Sequence, residues 1–134
     1  MPYHLFLDDE RDPQDVKWID LPMHHWVVVT SFNAFVATIK ERGLPETVSF
    51  DHDLADEHYK EYHNAHDHMM LSFGTIRYHT FKEKTGYEAA KWMAELCVDK
   101  KLPIPTYFVH TLNDIGKKNI VSILESARKV LTNP

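Results

Sequence analysis

Four short runs of mostly apolar residues punctuate the chain: "YHLFL" at 3–7, "WVVVT" at 26–30, "TVSF" at 47–50 and "TYFVH" at 106–110. Each is rich in β-branched or aromatic residues and ends at polar or turn-forming ones, which predicts four strands. Their nearly unbroken apolar character predicts burial on both faces, as in a parallel sheet. A different period appears between and after them. Ser31 stands as an N-cap before Phe32, Phe35, Val36 and Ile39, which share one helical stripe, and Gly43 follows as a C-terminal stop. Thr85 and Glu88 have capping-box spacing ahead of a second stripe, Ala89, Met93, Leu96 and Cys97. From about Asp114 to Leu131 a third stripe aligns Ile120, Leu124, Ala127 and Leu131, with Asn113 available as its cap.

Strands that alternate with helices imply right-handed crossovers and an α/β three-layer sandwich around a mainly parallel sheet of about four strands. In such a fold the carboxyl ends of the strands form the ligand face. Those ends carry Asp8 and Asp9, then Asp51, His52 and Asp53, then His110 and Thr111. Two connections depart from the pattern. Between Glu10 and His25 the periodicity is weak and broken by Pro13 and Pro22, so any helix there is short or distorted. Residues 55–84 show little periodicity at all, and a connection of that length reads as a flap inserted over the strand ends.

Composition narrows the class. With 134 residues, 43% of them hydrophobic and only 4 Gly, the chain 1–134 reads as one ordinary globular domain. No signal-peptide pattern opens it and no apolar run approaches the roughly 18 residues that span a bilayer, so a cytoplasmic protein without a membrane partner is expected. Cys97 is the single cysteine, which excludes a disulfide framework and leaves packing as its expected role. A net charge of −5 argues against an extended nucleic-acid surface; contact with RNA would be local.

The acidic strand ends carry the candidate chemistry. Clustered carboxylates near a low-dielectric interior repel one another unless a cation or hydrogen bonds compensate. A hard divalent cation meets that need; Mg²⁺ is the favoured ion, with Mn²⁺ or Zn²⁺ as alternatives. Asp9 and Asp51 are the first candidate ligands, with Asp8 and Asp53 as further ligands or as partners of those ligands. A lone "DD" after a strand is usually a turn or a helix cap, but two acidic clusters at strand ends on one side weigh toward a site. His52 alone reads as a residue that pins its loop; with His110 on the same side, the two become candidate proton donors or acceptors. Asp51 is also a candidate nucleophile. Arg11 suits a phosphate, or equally a surface ion pair. Of ten histidines, His58, His63, His66, His68 and His79 fall in residues 58–79. Their spacing does not form the HExxH pattern of a zinc protease, so a solvated flap is expected, with Tyr59, Tyr62 and Tyr78 able either to stack on a base or to pin it.

Taken together, "LFLDDERDP", "SFDHDL", "TGYEAAKW" and "HTLNDIGKKNI" resemble the cyclic-phosphate-processing receiver domain, a relative of the response-regulator receiver found in bacterial and phage settings. The resemblance covers most of the chain in the right order. It implies a receiver-like, flavodoxin-like fold and a role on cyclic phosphates at RNA ends or on nucleotides. It also implies site roles for Asp8, Asp9 and Arg11, for Asp51, His52 and Asp53, and for His110, Thr111 and Asn113. Within those roles Asp8, Asp9 and Asp51 are expected on the metal, His52, His110 and Asp53 in catalysis, and Arg11, Thr111 and Asn113 on substrate. The resemblance departs from an ordinary receiver in one respect: no run reads as a fifth strand ending in lysine, and Lys117 and Lys118 lie in the last helix. Phosphotransfer from a histidine kinase is therefore not expected. The function expected is a metal-dependent phosphoesterase acting on a small phosphorylated ligand or an RNA terminus. A non-catalytic module that binds such a ligand, or a degenerate receiver used for protein contacts, are the alternatives.

Overall fold

The apolar runs pair side by side. In the computed structural model, residues 2–54 and 84–132 are described. The expected flap at 55–84 lies outside them except for Lys84. In chain order the elements are β1 (His4–Leu7), a 3-10 turn (Pro13–Asp15), β2 (Trp26–Val29), α1 (Phe32–Arg42), β3 (Thr47–Phe50), α2 (Gly86–Lys100), β4 (Thr106–Val109) and α3 (Asp114–Thr132). The four strands form one sheet in the order β2-β1-β3-β4, and every pairing is parallel. This is the α/β arrangement expected of a receiver-like fold.

Local chemistry sets the helix ends. Ser31 Oγ accepts a hydrogen bond from the Ala34 N–H at 3.1 Å, and Asn113 Oδ1 accepts one from the Gly116 N–H at 2.9 Å. Each satisfies an amide that the first turn leaves without a helical partner. At the other end of α1, Gly43 adopts φ 86°, a region that costs glycine nothing and suits a helix stop. The connection from β1 to β2, broken by its prolines as expected, forms only the single 3-10 turn among regular elements.

Alternation along the strands separates two environments. Leu5, Leu7, Val48, Phe50 and Val109 join Phe35 and Ile39 of α1, Met93 and Cys97 of α2, and Ile120 and Leu124 of α3 in one buried core. Cys97 packs as expected, and burial pushes its thiol up to about 11. The intervening residues face away from that core. Phe6, fully buried, stacks on the His110 ring at 4.4 Å, and His4 stacks on His24 at 3.7 Å. The irregular segment after β1 therefore covers this second face, and the Trp18 indole N–H anchors it by donating to the His110 carbonyl at 2.8 Å. Among the described residues, no helix is long and apolar enough to cross a membrane.

Candidate active site

The sheet register aligns the candidate residues. Leu7 pairs with Phe50, and Phe50 with Val109, so Asp8, Asp51 and His110 are the next residues on three adjacent strands. The ladder runs on by one step: Asp8 N–H donates to the Val29 carbonyl at 3.1 Å, Asp51 N–H to Leu7 at 2.9 Å and His110 N–H to Phe50 at 3.0 Å. Residues in one row of a sheet point to one side. Accordingly, one ligand atom from each of Asp8, Asp51 and His110 lies within 4.8 Å of the other two, and all three residues are buried.

Asp8 is held on every side. Its Oδ1 accepts the backbone N–H groups of Glu10 and Arg11 at 2.8 and 2.9 Å. Oδ2 lies 3.0 Å from His110 Nε2 and 3.6 Å from the Arg11 guanidinium. Burial alone would raise this carboxyl, but the bonds from His110, Glu10 and Arg11 outweigh it and hold the group below its ordinary value. Behind His110, Ser49 Oγ sits 2.6 Å from Nδ1. The network assigns the ring proton to Nε2, donated to Asp8, with Nδ1 accepting from the serine hydroxyl. Burial lowers the His110 pKa, against the opposing pull of Asp8.

Asp51 has the reverse character. Burial, with the charges of Asp8 and Asp53, pushes its carboxyl up to about 8, although Thr111 donates a hydrogen bond to it and Arg11 is near. The His52 backbone N–H donates to Asp51 Oδ1 at 2.9 Å. Asp9, half-buried beside the row, is raised to about 6 by burial and by Glu10 and Asp8, and its Oδ1 has no hydrogen-bond partner among the described residues. Two carboxyls driven toward their neutral forms beside a third that stays ionised form a donor set with unmet demand for positive charge. Oxygen donors with one imidazole nitrogen suit a divalent cation. The Asp8–Asp51–His110 cluster is thus able to bind a metal ion. Asp9 stands next to this close set rather than within it, whereas His110 supplies the third ligand atom.

A second cluster sits where the β3 tip meets α3. His52 Nδ1 lies 3.0 Å from Asp53 Oδ1, and Asn113 Nδ2 donates to both oxygens of Asp53 at 3.3 and 3.2 Å. Asn113 thereby ties the carboxylate to the α3 cap. Gly116 makes the packing feasible: a Cβ there would fall 2.3 Å from the His52 ring. Thr111 links the clusters, since its Oγ1 accepts the Asn113 N–H at 3.2 Å and its side chain bonds Asp51. Gly86 closes the site from below. Its N–H donates to the His52 carbonyl at 2.7 Å, and a Cβ would lie 1.7 Å from the Asp51 carbonyl oxygen.

Sequence reasoning named Asp8, Asp9, Arg11, Asp51, His52, Asp53, His110, Thr111 and Asn113, and the fold gathers them at the adjoining tips of β1, β3 and β4. It missed Ser49, Trp18, Gly86 and Gly116. Ser49 carried a signal, as a hydroxyl inside an otherwise apolar strand two residues before Asp51. The glycines carried one as well, each standing in the first turn of a helix where a better helix former was available. No curated protein and no solved structure matches the chain significantly. A family model does, over residues 3–126. That span includes both clusters and all four strands, and the chain belongs to the cyclic-phosphate processing receiver domain family.

Proposed function

We propose that this protein is a metal-dependent phosphoesterase that opens a cyclic phosphate on an RNA end or a nucleotide. The observation that carries the reading is the buried Asp8–Asp51–His110 row at the carboxyl edge of the sheet, where one ligand atom of each residue lies within 4.8 Å of the others. Asp8, Asp51 and His110 would hold the cation, with Asp9 beside them; for His110 to ligate through Nε2, its proton would shift to Nδ1 and be donated to Ser49 Oγ. Bound there, a divalent cation neutralises phosphoryl oxygens and acidifies water.

The remaining chemistry falls to the chain. Opening the ring forms a phosphorus–oxygen bond to a water oxygen and breaks one to the ribose, so one proton must leave the water and another reach the departing oxygen. His52 is the carrier in this reading: Asp53 accepts from Nδ1 and fixes the ring, so that Nε2 takes the proton from the water and passes it to the departing oxygen. Arg11, whose guanidinium is 3.6 Å from Asp8 Oδ2, is in reach to steady charge on the phosphoryl group. The family membership supports the ligand class.

Phosphorus NMR of the protein with Mg²⁺ or Mn²⁺ and 2′,3′-cyclic nucleotides tests the reading. Conversion to a phosphomonoester is expected, and lost with D51N. Tight binding with the ligand recovered intact would make this a capture module instead; no binding and no turnover with any metal would end the proposal.

A further inference from the structure

Trp18 is exposed at 40%, although its indole is fixed at the site by the hydrogen bond from Nε1 to the His110 carbonyl. Its surroundings connect it to the acid row. The Arg11 guanidinium lies over its ring, 5.2 Å from the centroid, and the same guanidinium is 3.6 Å from Asp8 Oδ2. The other two tryptophans are used differently. Trp26 packs against His4, His24 and Phe6, and Trp92 against Phe35. Among the described residues Trp18 has no ring partner of its own.

A large apolar ring left in water is a cost unless something covers it, and a planar ring anchored at its edge loses little further freedom when a planar ligand lies on it. We infer that Trp18 is the platform on which the base of a nucleoside cyclic phosphate stacks, with Arg11 joining that platform to the phosphate held at the Asp8–Asp51–His110 row. The inference rests on the phosphoesterase reading and deepens it: the substrate is recognised by its base as well as by its phosphate. Stacking tolerates any base, since each has a π-face, so little preference among bases is expected.

The test compares a 2′,3′-cyclic mononucleotide and a short RNA ending in a 2′,3′-cyclic phosphate with ribose 2′,3′-cyclic phosphate, which lacks a base. Calorimetry and indole fluorescence are read on the full chain with Mg²⁺. For the wild type, both base-bearing ligands should quench the emission and the base-free ligand should not. W18L should weaken both base-bearing ligands roughly tenfold while leaving the base-free ligand unchanged, and W18F should recover most of the loss because a ring remains. Weakening of the RNA alone would still support the stack and would identify an RNA terminus as the substrate. Equal weakening of all three ligands would reduce Trp18 to a structural prop and overturn the inference, as would no weakening of any. In both of those cases the phosphoesterase reading stands. A wild type that binds none of the three ligands sinks both.

Discussion

The two histidine–aspartate pairs are made of the same groups at the same separation, 3.0 Å, by opposite means. His52 and Asp53 are neighbours in the chain, and one loop with the α3 cap suffices to set them. His110 and Asp8 are 102 positions apart and meet only because β1, β3 and β4 lie side by side. Their surroundings differ as well. Asp8 shares its row with Asp51, whose carboxyl is driven up to about 8, while His52 rests against a glycine of α3. The long-range pair is thus wired into the sheet and into unsatisfied charge, and the local pair into a helix terminus. In the proposed reaction the first is the pair beside the ion and the second the pair that serves the departing oxygen.

Replacing Asp51 should break that division most severely. D51N removes a carboxylate from the row, and a loss of turnover on the order of a thousandfold is expected. The same variant should melt higher than the wild type at pH 8 without metal, because a raised pKa marks a charge that folding opposes. A kinetic comparison of the two histidines sharpens the contrast. H52Q should lower kcat by roughly a hundredfold with Mg²⁺ dependence intact. H110Q should shift the Mg²⁺ requirement upward by about tenfold, with activity recovered at saturating metal. If the two variants respond alike in metal titrations, the separate roles are wrong.

Smaller effects follow from packing and protons. G116A puts a methyl against the buried His52 ring and should cost about 1–3 kcal/mol in chemical denaturation, while metal affinity, read by calorimetry, stays near the wild-type value. The pH dependence of metal-free stability separates the pairs again. Asp51 retains its proton in the fold up to about 8, whereas an unfolded aspartate loses it near the ordinary value of 3.8. The folded state binds the extra proton between those limits, so this contribution is complete in acid and declines as pH rises toward 8. Asp8 and His110 act in the other direction: both are held low, and their contribution is lost as pH falls. Thermal melts from about pH 5 to about pH 9 should therefore show a decline on the alkaline side that Mg²⁺ reverses, since a cation favours ionised Asp51. A flat alkaline limb would remove Asp51 from the row's electrostatics.

Much of the scaffold was written in periodicity. Ser31, Gly43, Thr85 and Asn113 mark helix ends through bonds to amides at most three residues away or through their own backbone angles, and such rules are local. The strands were found to within a residue at each end for the same reason. Which carboxylates converge was not legible. "DD" and "DHD" offer five acidic or imidazole side chains, and choosing among them requires the step from Leu7 to Phe50 to Val109, a fact of pairing between strands. Ser49 and Trp18 escaped for a related cause. Each matters through His110, 61 and 92 positions away, and no local pattern encodes that distance.

The contact between Gly86 and the β3 tip has an evolutionary corollary. Because the Gly86 amide meets the His52 carbonyl at 2.7 Å, the chain returns after residue 83 to the place it left at 54. Relatives that keep this contact should therefore keep glycine at that position, since a Cβ there would lie 1.7 Å from the Asp51 carbonyl oxygen.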